Sequence, residues 1–237
     1  MNPDRTMAVE NNVQWYSTMA QAHRIAFEQT GAYWCTEEAM PPYYSNYVVA
    51  DPRGSHLARI EHLLKNGGLQ RLTIADSFVS LDESAMKSLG FNGLFEARWY
   101  GAAEVRPVSA DGLRFRTVET ADQLADWEAH WKIWSPTNHP QVFPASLLRV
   151  PGVRFRAMLI DGQVLGGALT HESASAVGLS NVFFAGEAAS GNLLRCAAAT
   201  IASHRPVVGY GTAEELDALR EVGFDDLGPH RVWIHGT

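Results

Sequence analysis

Cysteine is nearly absent: Cys35 and Cys196 are the two in 237 residues. Two thiols so far apart cannot build a disulfide framework, and such sparing use fits a reducing compartment. Long apolar runs are missing too, and none approaches the ~20 residues that a bilayer-spanning helix needs. The first ten residues are polar, without the apolar stretch of a secretory leader, so a soluble, cytoplasmic protein is expected. Basic residues are outnumbered, 19 against 26 acidic, for a net charge of −7. That balance argues against nucleic acid and against an anionic membrane, since both partners need a cationic patch to displace counterions. No Walker-type Gly-Lys-Ser/Thr, Gly-x-Ser-x-Gly elbow or Gly-x-Gly-x-x-Gly occurs. Nucleotide hydrolases, serine hydrolases and classical dinucleotide binders are thereby removed. No histidine pair has ligand spacing with a supporting carboxylate or cysteine; His56 and His62 share a predicted helix without facing each other. No metal is expected.

What is present is an ordinary globular composition, 46% hydrophobic and 19% charged, in a chain long enough for two small domains. Apolar spacing predicts helices over residues 12–29, 55–65, 121–134, 192–204 and 212–222. A short helix opens at a capping box, Ser80-x-x-Glu83, and closes at Gly90. Strands are predicted over 32–36, 46–50, 69–75, 94–100, 113–118, 153–160, 163–170, 176–184, 206–210 and 229–235, with a tight hairpin at Asp161-Gly162.

An internal repeat organises these elements. Residues 80–91 end in Gly90-Phe91 and lead to Arg98-Trp99, while residues 212–224 end in Gly223-Phe224 and lead to Arg231-Val-Trp233. Both segments read as a capped helix closing on Gly-Phe before a strand that carries arginine and tryptophan. The two glycines are 133 residues apart (223 minus 90), a domain-sized period. Turn residues between 105 and 112 place a boundary there, giving units at 1–106 and 107–237. The fold class expected is α/β (α+β): a mixed, largely antiparallel central sheet flanked by helices, in two tandem copies.

From Leu113 to His235 the order of elements resembles the GNAT superfamily of acyl-CoA-dependent acyltransferases. The hairpin Asp161-Gly-Gln-Val-Leu-Gly-Gly167, the strand Val207-Val-Gly-Tyr-Gly211 and the closing Gly223-Phe224 and Val232-Trp233 carry the resemblance. It implies acetyl-CoA as co-substrate, with the pantetheine arm beside the strand at 176–184 and the pyrophosphate at the loop and helix N-terminus that follow. On that resemblance Val182, Phe183, Phe184, Ser190, Gly191 and Asn192 are the cofactor-binding residues. Of the family's Arg/Gln-x-x-Gly-x-Gly/Ala loop only Gly191 is kept, Ala188 and Leu193 standing at the first and last positions, and Glu187 should face solvent. Leu219 stands where the family often has a tyrosine acid.

Three residues are candidates for chemistry. Glu172, beside His171, is a possible base toward an ammonium, or one of a solvated loop pair. Asn181, read as sharing a face with Leu179 and Phe183, is a substrate-orienting amide or a satisfied core one. Tyr210 is a replacement acid or a packing residue. Trp127, Trp131 and Trp134 form one helical stripe, either core or acceptor wall. Pro41-Pro42 with Tyr43, Tyr44 and Tyr47 either closes the two halves together or forms a surface loop. The leading expectation is an N-acetyltransferase acting on a small-molecule or peptide amine. Its rivals are a fold that has lost catalysis and keeps a ligand, and an interaction protein, including a possible homodimer.

Overall fold

The computed structural model describes residues 1–109, 112–184, 190–201 and 203–236. Helix α1 (Arg5–His23) begins where the Asp4 carboxylate accepts the Met7 N–H at 2.8 Å. It ends at Arg24, whose left-handed backbone (φ 61°) returns its N–H to the carbonyls of Ala20 and Gln21. The helix therefore lies earlier than the expected 12–29, because a capping aspartate starts it and a non-glycine left-handed residue stops it. Short strands β1 (Glu28–Gln29), β2 (Tyr33–Cys35) and β3 (Tyr47–Val49) follow, then α2 (Leu57–Asn66) and β4 (Leu72–Asp76).

Helix α3 (Glu83–Ser88) corrects the expected capping box. Its cap is Asp82, accepting from the Ala85 N–H at 2.7 Å. Ser80 instead gives its N–H to the buried Asp76 carboxylate at 2.9 Å, which also accepts from Leu81. A buried carboxylate needs such donors more than a helix end does.

The chain continues through β5 (Asn92–Ala102), β6 (Arg114–Thr117) and α4 (Ala121–Trp134), whose capping box uses Thr120 and Gln123. A 3-10 turn at Ala145–Arg149 leads to β7 (Val153–Ile160) and β8 (Gln163–Glu172). Their hairpin has positive φ at both Asp161 (49°) and Gly162 (80°), the mirror-image turn that this dipeptide favours. Then come β9 (Val177–Phe184), α5 (Ser190–Ala199), β10 (Val207–Gly211), α6 (Ala213–Arg220) and β11 (Asp225–His235). Helix α5 stops five residues before the expected end (204 minus 199), where Thr200 gives its N–H to Cys196 and its hydroxyl to Ala197. Thr212 and Glu215 form the expected box at the start of α6.

All these strands join one sheet, ordered β1-β2-β3-β4-β11-β5-β10-β9-β8-β7-β6. Most neighbours are antiparallel; β3 with β4, and β9 with β10, are parallel. The two long strands, β5 and β11, lie side by side at the centre of the sheet. Strand β5, from the first half, pairs with β10, and β11, from the second half, pairs with β4. In the ladder Arg98 faces Gly211 and Arg231 faces Asp76, so residues 133 apart (231 minus 98) hold matching positions on either side of the β5–β11 pair.

Apolar cores fill both faces. One lies under α1 and α4 and includes Trp15, Trp34, Trp99, Trp127 and Phe183. On the other face, α5 and α6 cover a core with Tyr100, Leu179 and Leu219, while α2 and α3 cover one with Ile60, Ile74 and Trp233. Helix α1 touches β5, β8, β9 and β10. Asn11 on it gives its amide to the carbonyl of His171 at 3.2 Å. Gly178 makes that approach possible, since a side chain there would strike Asn11.

Candidate active site

Strands β9 and β10 are paired at two positions, Val177 with Val207 and Gly178 with Val208. Past Gly209, which still lies against the Leu179 carbonyl, β10 stays with β5 and β9 with β8 and no ladder joins the two, a gap in the pairing. At the gap β9 is bulged. Leu169 faces Ser180 and Gly167 faces Phe183, so Asn181 and Val182 together oppose Ala168. Asn181 takes the left-handed conformation (φ 50°) that asparagine tolerates better than most residues. The extra residue reverses the alternation. Leu179 points into the core under α5 and α6, while Phe183 points under α1 and α4. The expected shared face for Leu179 and Phe183 is thus overturned by the bulge.

Asn181 and Tyr210 both lie on the α1 side of the sheet. The Asn181 amide donates to Ser180 Oγ at 3.1 Å and lies beside the Tyr44 hydroxyl. Tyr44 also accepts from Trp15 Nε1 at 3.1 Å, and Tyr16 Oη accepts the Ser45 N–H at 3.2 Å. The Tyr210 ring, half-buried, lies 5.1 Å from Trp99 and 4.8 Å from His230, and its hydroxyl has no partner among the described residues. Burial raises the hydroxyls of Tyr16, Tyr44 and Tyr210 above their ordinary range, so all three keep their protons at neutral pH. His230 is buried and its pKa is pushed down to about 4, mainly by loss of water and against a hydrogen bond to the Asp76 backbone.

Glu172 does not join them. It ends β8 opposite Val177, four residues from Asn181 along β9 and so roughly 13 Å away. Its carboxylate is held by Arg205 at 2.6 Å. His171 is buried against Trp15, and burial lowers its pKa to about 4 despite Glu172 beside it.

Of the cofactor candidates, Phe183 packs edge-on to Trp127 at 5.0 Å, Phe184 is buried and Val182 half-buried, so their backbones rather than their side chains border the gap. Gly191 and Asn192 form the first turn of α5, Gly191 close to Ala218 of α6. The side chain of Ser190, and Glu187 and Ala188, lie outside the described residues. Leu219 is fully buried. Of the tryptophan stripe, Trp127 and Trp131 are core residues, while Trp134 is 43% exposed.

Tyr44, Trp15 and Tyr16 carry no motif that marks them as site residues in the sequence. They come from the first half, brought across by α1 and by the turn at Pro41-Pro42. Tyr43 in that turn reaches the second half, donating its hydroxyl to the Pro136 carbonyl at 2.9 Å and standing edge-on to Trp131. Among the described residues no cluster could hold a metal ion, and no helix is long and apolar enough to cross a membrane.

Solved structures with this arrangement exist. A GCN5-related N-acetyltransferase of Kribbella flavida superposes over 95% of both chains with a TM-score of 0.65 at 12% identity. The chain has the fold of the GNAT N-acetyltransferases. A second GNAT-fold match, a putative acetyltransferase of the GNAT family from Novosphingobium aromaticivorans, covers 94% of this chain and 96% of its own at TM-score 0.55 and 14% identity. A functionally unknown conserved protein of Staphylococcus epidermidis shares the fold at TM-score 0.60 and 14% identity, over 89% of this chain and 93% of its own. At the level of sequence, no family model and no curated protein matches.

Proposed function

We propose that the protein is an N-acyltransferase that moves an acetyl group from acetyl-CoA to an amine. The observation that carries this reading is the gap where β9, bulged at Asn181, leaves β10. The edge of β9 that faces the gap has no ladder partner beyond Gly178, and its amides suit the extended, amide-bearing pantetheine arm. Acetyl-CoA supplies the thioester. The backbone N–H groups around Val182 polarise its carbonyl, and Asn181 holds the bulge that aims them. The neutral amine's nitrogen bonds to the acyl carbon and the carbon–sulfur bond breaks; Tyr210, kept protonated by burial, gives its proton to the leaving thiolate and regains one from the adduct's nitrogen, so that a neutral amide, the CoA thiol and the Tyr210 hydroxyl result. The first turn of α5 at Gly191 and Asn192 faces the cofactor's phosphates. Glu172, tied to Arg205, maintains the end of β8 instead of serving as base. The two halves are copies of one unit, and the second holds the acyl donor.

Calorimetric titration with acetyl-CoA, with CoA and ATP as controls, tests the reading. Saturable micromolar binding of the CoA compounds alone is expected, and no heat with either CoA compound would end it. One observation favours a second reading, a ligand-binding fold without turnover: Leu219 fills the family's acid position and is sealed in the core. Binding without acetyl transfer to any amine would support that alternative.

A further inference from the structure

Strand β10 ends at Gly211, opposite Arg98, and the chain turns away into α6. Strand β5 runs on past that point. Its residues 92–97 pair with β11 on one side and with no strand on the other. All five residues from Asn92 to Glu96 are exposed, including Leu94 (45%) and Phe95 (44%), and Leu94 is the extra residue of a bulge between the Gly93–Trp233 and Phe95–Val232 pairs. Proteins rarely leave a long apolar edge bare, because its free N–H and C=O groups invite another strand.

The matching stretch of β11, residues 225–230, is placed identically, beyond the end of β4 at Asp76. There the chain's own N-terminal segment fills the place. Arg5 gives its Nε–H to the Leu227 carbonyl at 2.8 Å, packs on Gly228 and crosses the Phe78 ring at 5.8 Å. Of two equivalent tracks, one is occupied from within and the other is open.

We propose that the open track binds the acceptor, and that the acceptor is an extended peptide carrying a free α-amine; this rests on the acyltransferase reading above. A peptide continuing the line of β10 is antiparallel to β5 and forms a ladder along 92–97, roughly 20 Å long. Its direction puts its first residue next to Gly211, so its amine, rather than a side chain farther along, arrives beside Tyr210 and the gap. The charge there is complementary. The Glu215 carboxylate abuts Gly211, with one oxygen accepting the Thr212 N–H at 2.7 Å and the other without a partner among the described residues. The exposed Leu94 and Phe95 favour apolar side chains on the bound strand.

The test uses the full chain and an eight-residue peptide of alternating valine and threonine with a free N-terminus. Hydrogen exchange at 92–97 should slow when the peptide is added. With acetyl-CoA present, N-methylating alternate backbone amides of the peptide should cut kcat/KM by about tenfold, the loss of one or two hydrogen bonds. Glu215→Gln, which keeps the helix cap, should raise KM for the peptide while kcat holds. Unchanged exchange, or benzylamine acetylated as well as the peptide, overturns the proposal and leaves the acyltransferase standing. If acetyl-CoA does not bind, that reading falls, and exchange with the peptide alone still decides the edge: protection supports it, none overturns it. Protection of 92–97 without peptide, in a chain that dimerises, would assign the edge to a second copy and also overturn the proposal.

Discussion

Arg98 and Arg231 each reach across to the other's strand. Arg98, on β5, grips Asp226 of β11 through Nε at 3.0 Å, and Arg231, on β11, holds Glu96 of β5 at 2.6 Å. These pairs are largely exposed, where an ion pair contributes ~1 kcal/mol or less. Their role is register: reciprocal contacts fix which residues of the two strands face each other.

Strand β5 pairs with β10 and β11 with β4, so each half of the chain depends on a strand from the other. Separately expressed residues 1–106 and 107–237 should each be poorly folded, because β4 and β10 would each lose the partner that covers them. Together they should reassemble. The intact chain should melt in one cooperative transition by circular dichroism, and two resolved transitions would contradict this view.

Asn181 separates backbone from side-chain roles. Glycine accepts the left-handed conformation, whereas a β-branched residue there costs about 1–2 kcal/mol. Asn181→Gly should keep the bulge, its urea midpoint, its acetyl-CoA affinity and its turnover. Asn181→Val should lower the urea midpoint and weaken acetyl-CoA binding. Equal behaviour of the two variants would deny the bulge any part in binding.

The buried imidazoles of His171 and His230 give stability a pH dependence. Both titrate near 4 in the fold and near 6.5 when unfolded. Between those values the unfolded chain binds more protons, so stability rises with pH across that window. The contribution is complete above about 6.5 and is lost as the pH falls toward 4, about 3 kcal/mol for each group at the limit. Urea unfolding at pH 7.5, 6 and 5 should show the decline, and His171→Gln with His230→Gln should flatten it.

The locally specified parts of the fold were legible in the sequence. The α4 stripe, the β7–β8 hairpin at Asp161-Gly162 and the Thr212–Glu215 cap depend on neighbours a few residues away, and each forms where expected. Ser80 misled because its partner is Asp76, whose burial depends on the whole sheet. Arg24 carried no glycine-like stop signal. The bulge at Asn181 is a property of the β8–β9 pair and cannot be read from β9 alone. The site was therefore half visible. Asn181 and Tyr210 lie on strands whose order the sequence implied, but Tyr44 and Trp15 arrive from more than a hundred residues earlier by tertiary packing (181 minus 44 is 137).

Helix α1 has a consequence for synthesis. It leaves the ribosome long before β10, one of the strands it rests on, which ends at Gly211, some two hundred residues later. At about 5–20 residues per second, the apolar face bearing Trp15, Tyr16 and Met19 waits on the order of 10–40 s for its seat. Nascent chains halted before residue 200 should leave α1 open to protease and bound by chaperones, and release of the full chain should protect it.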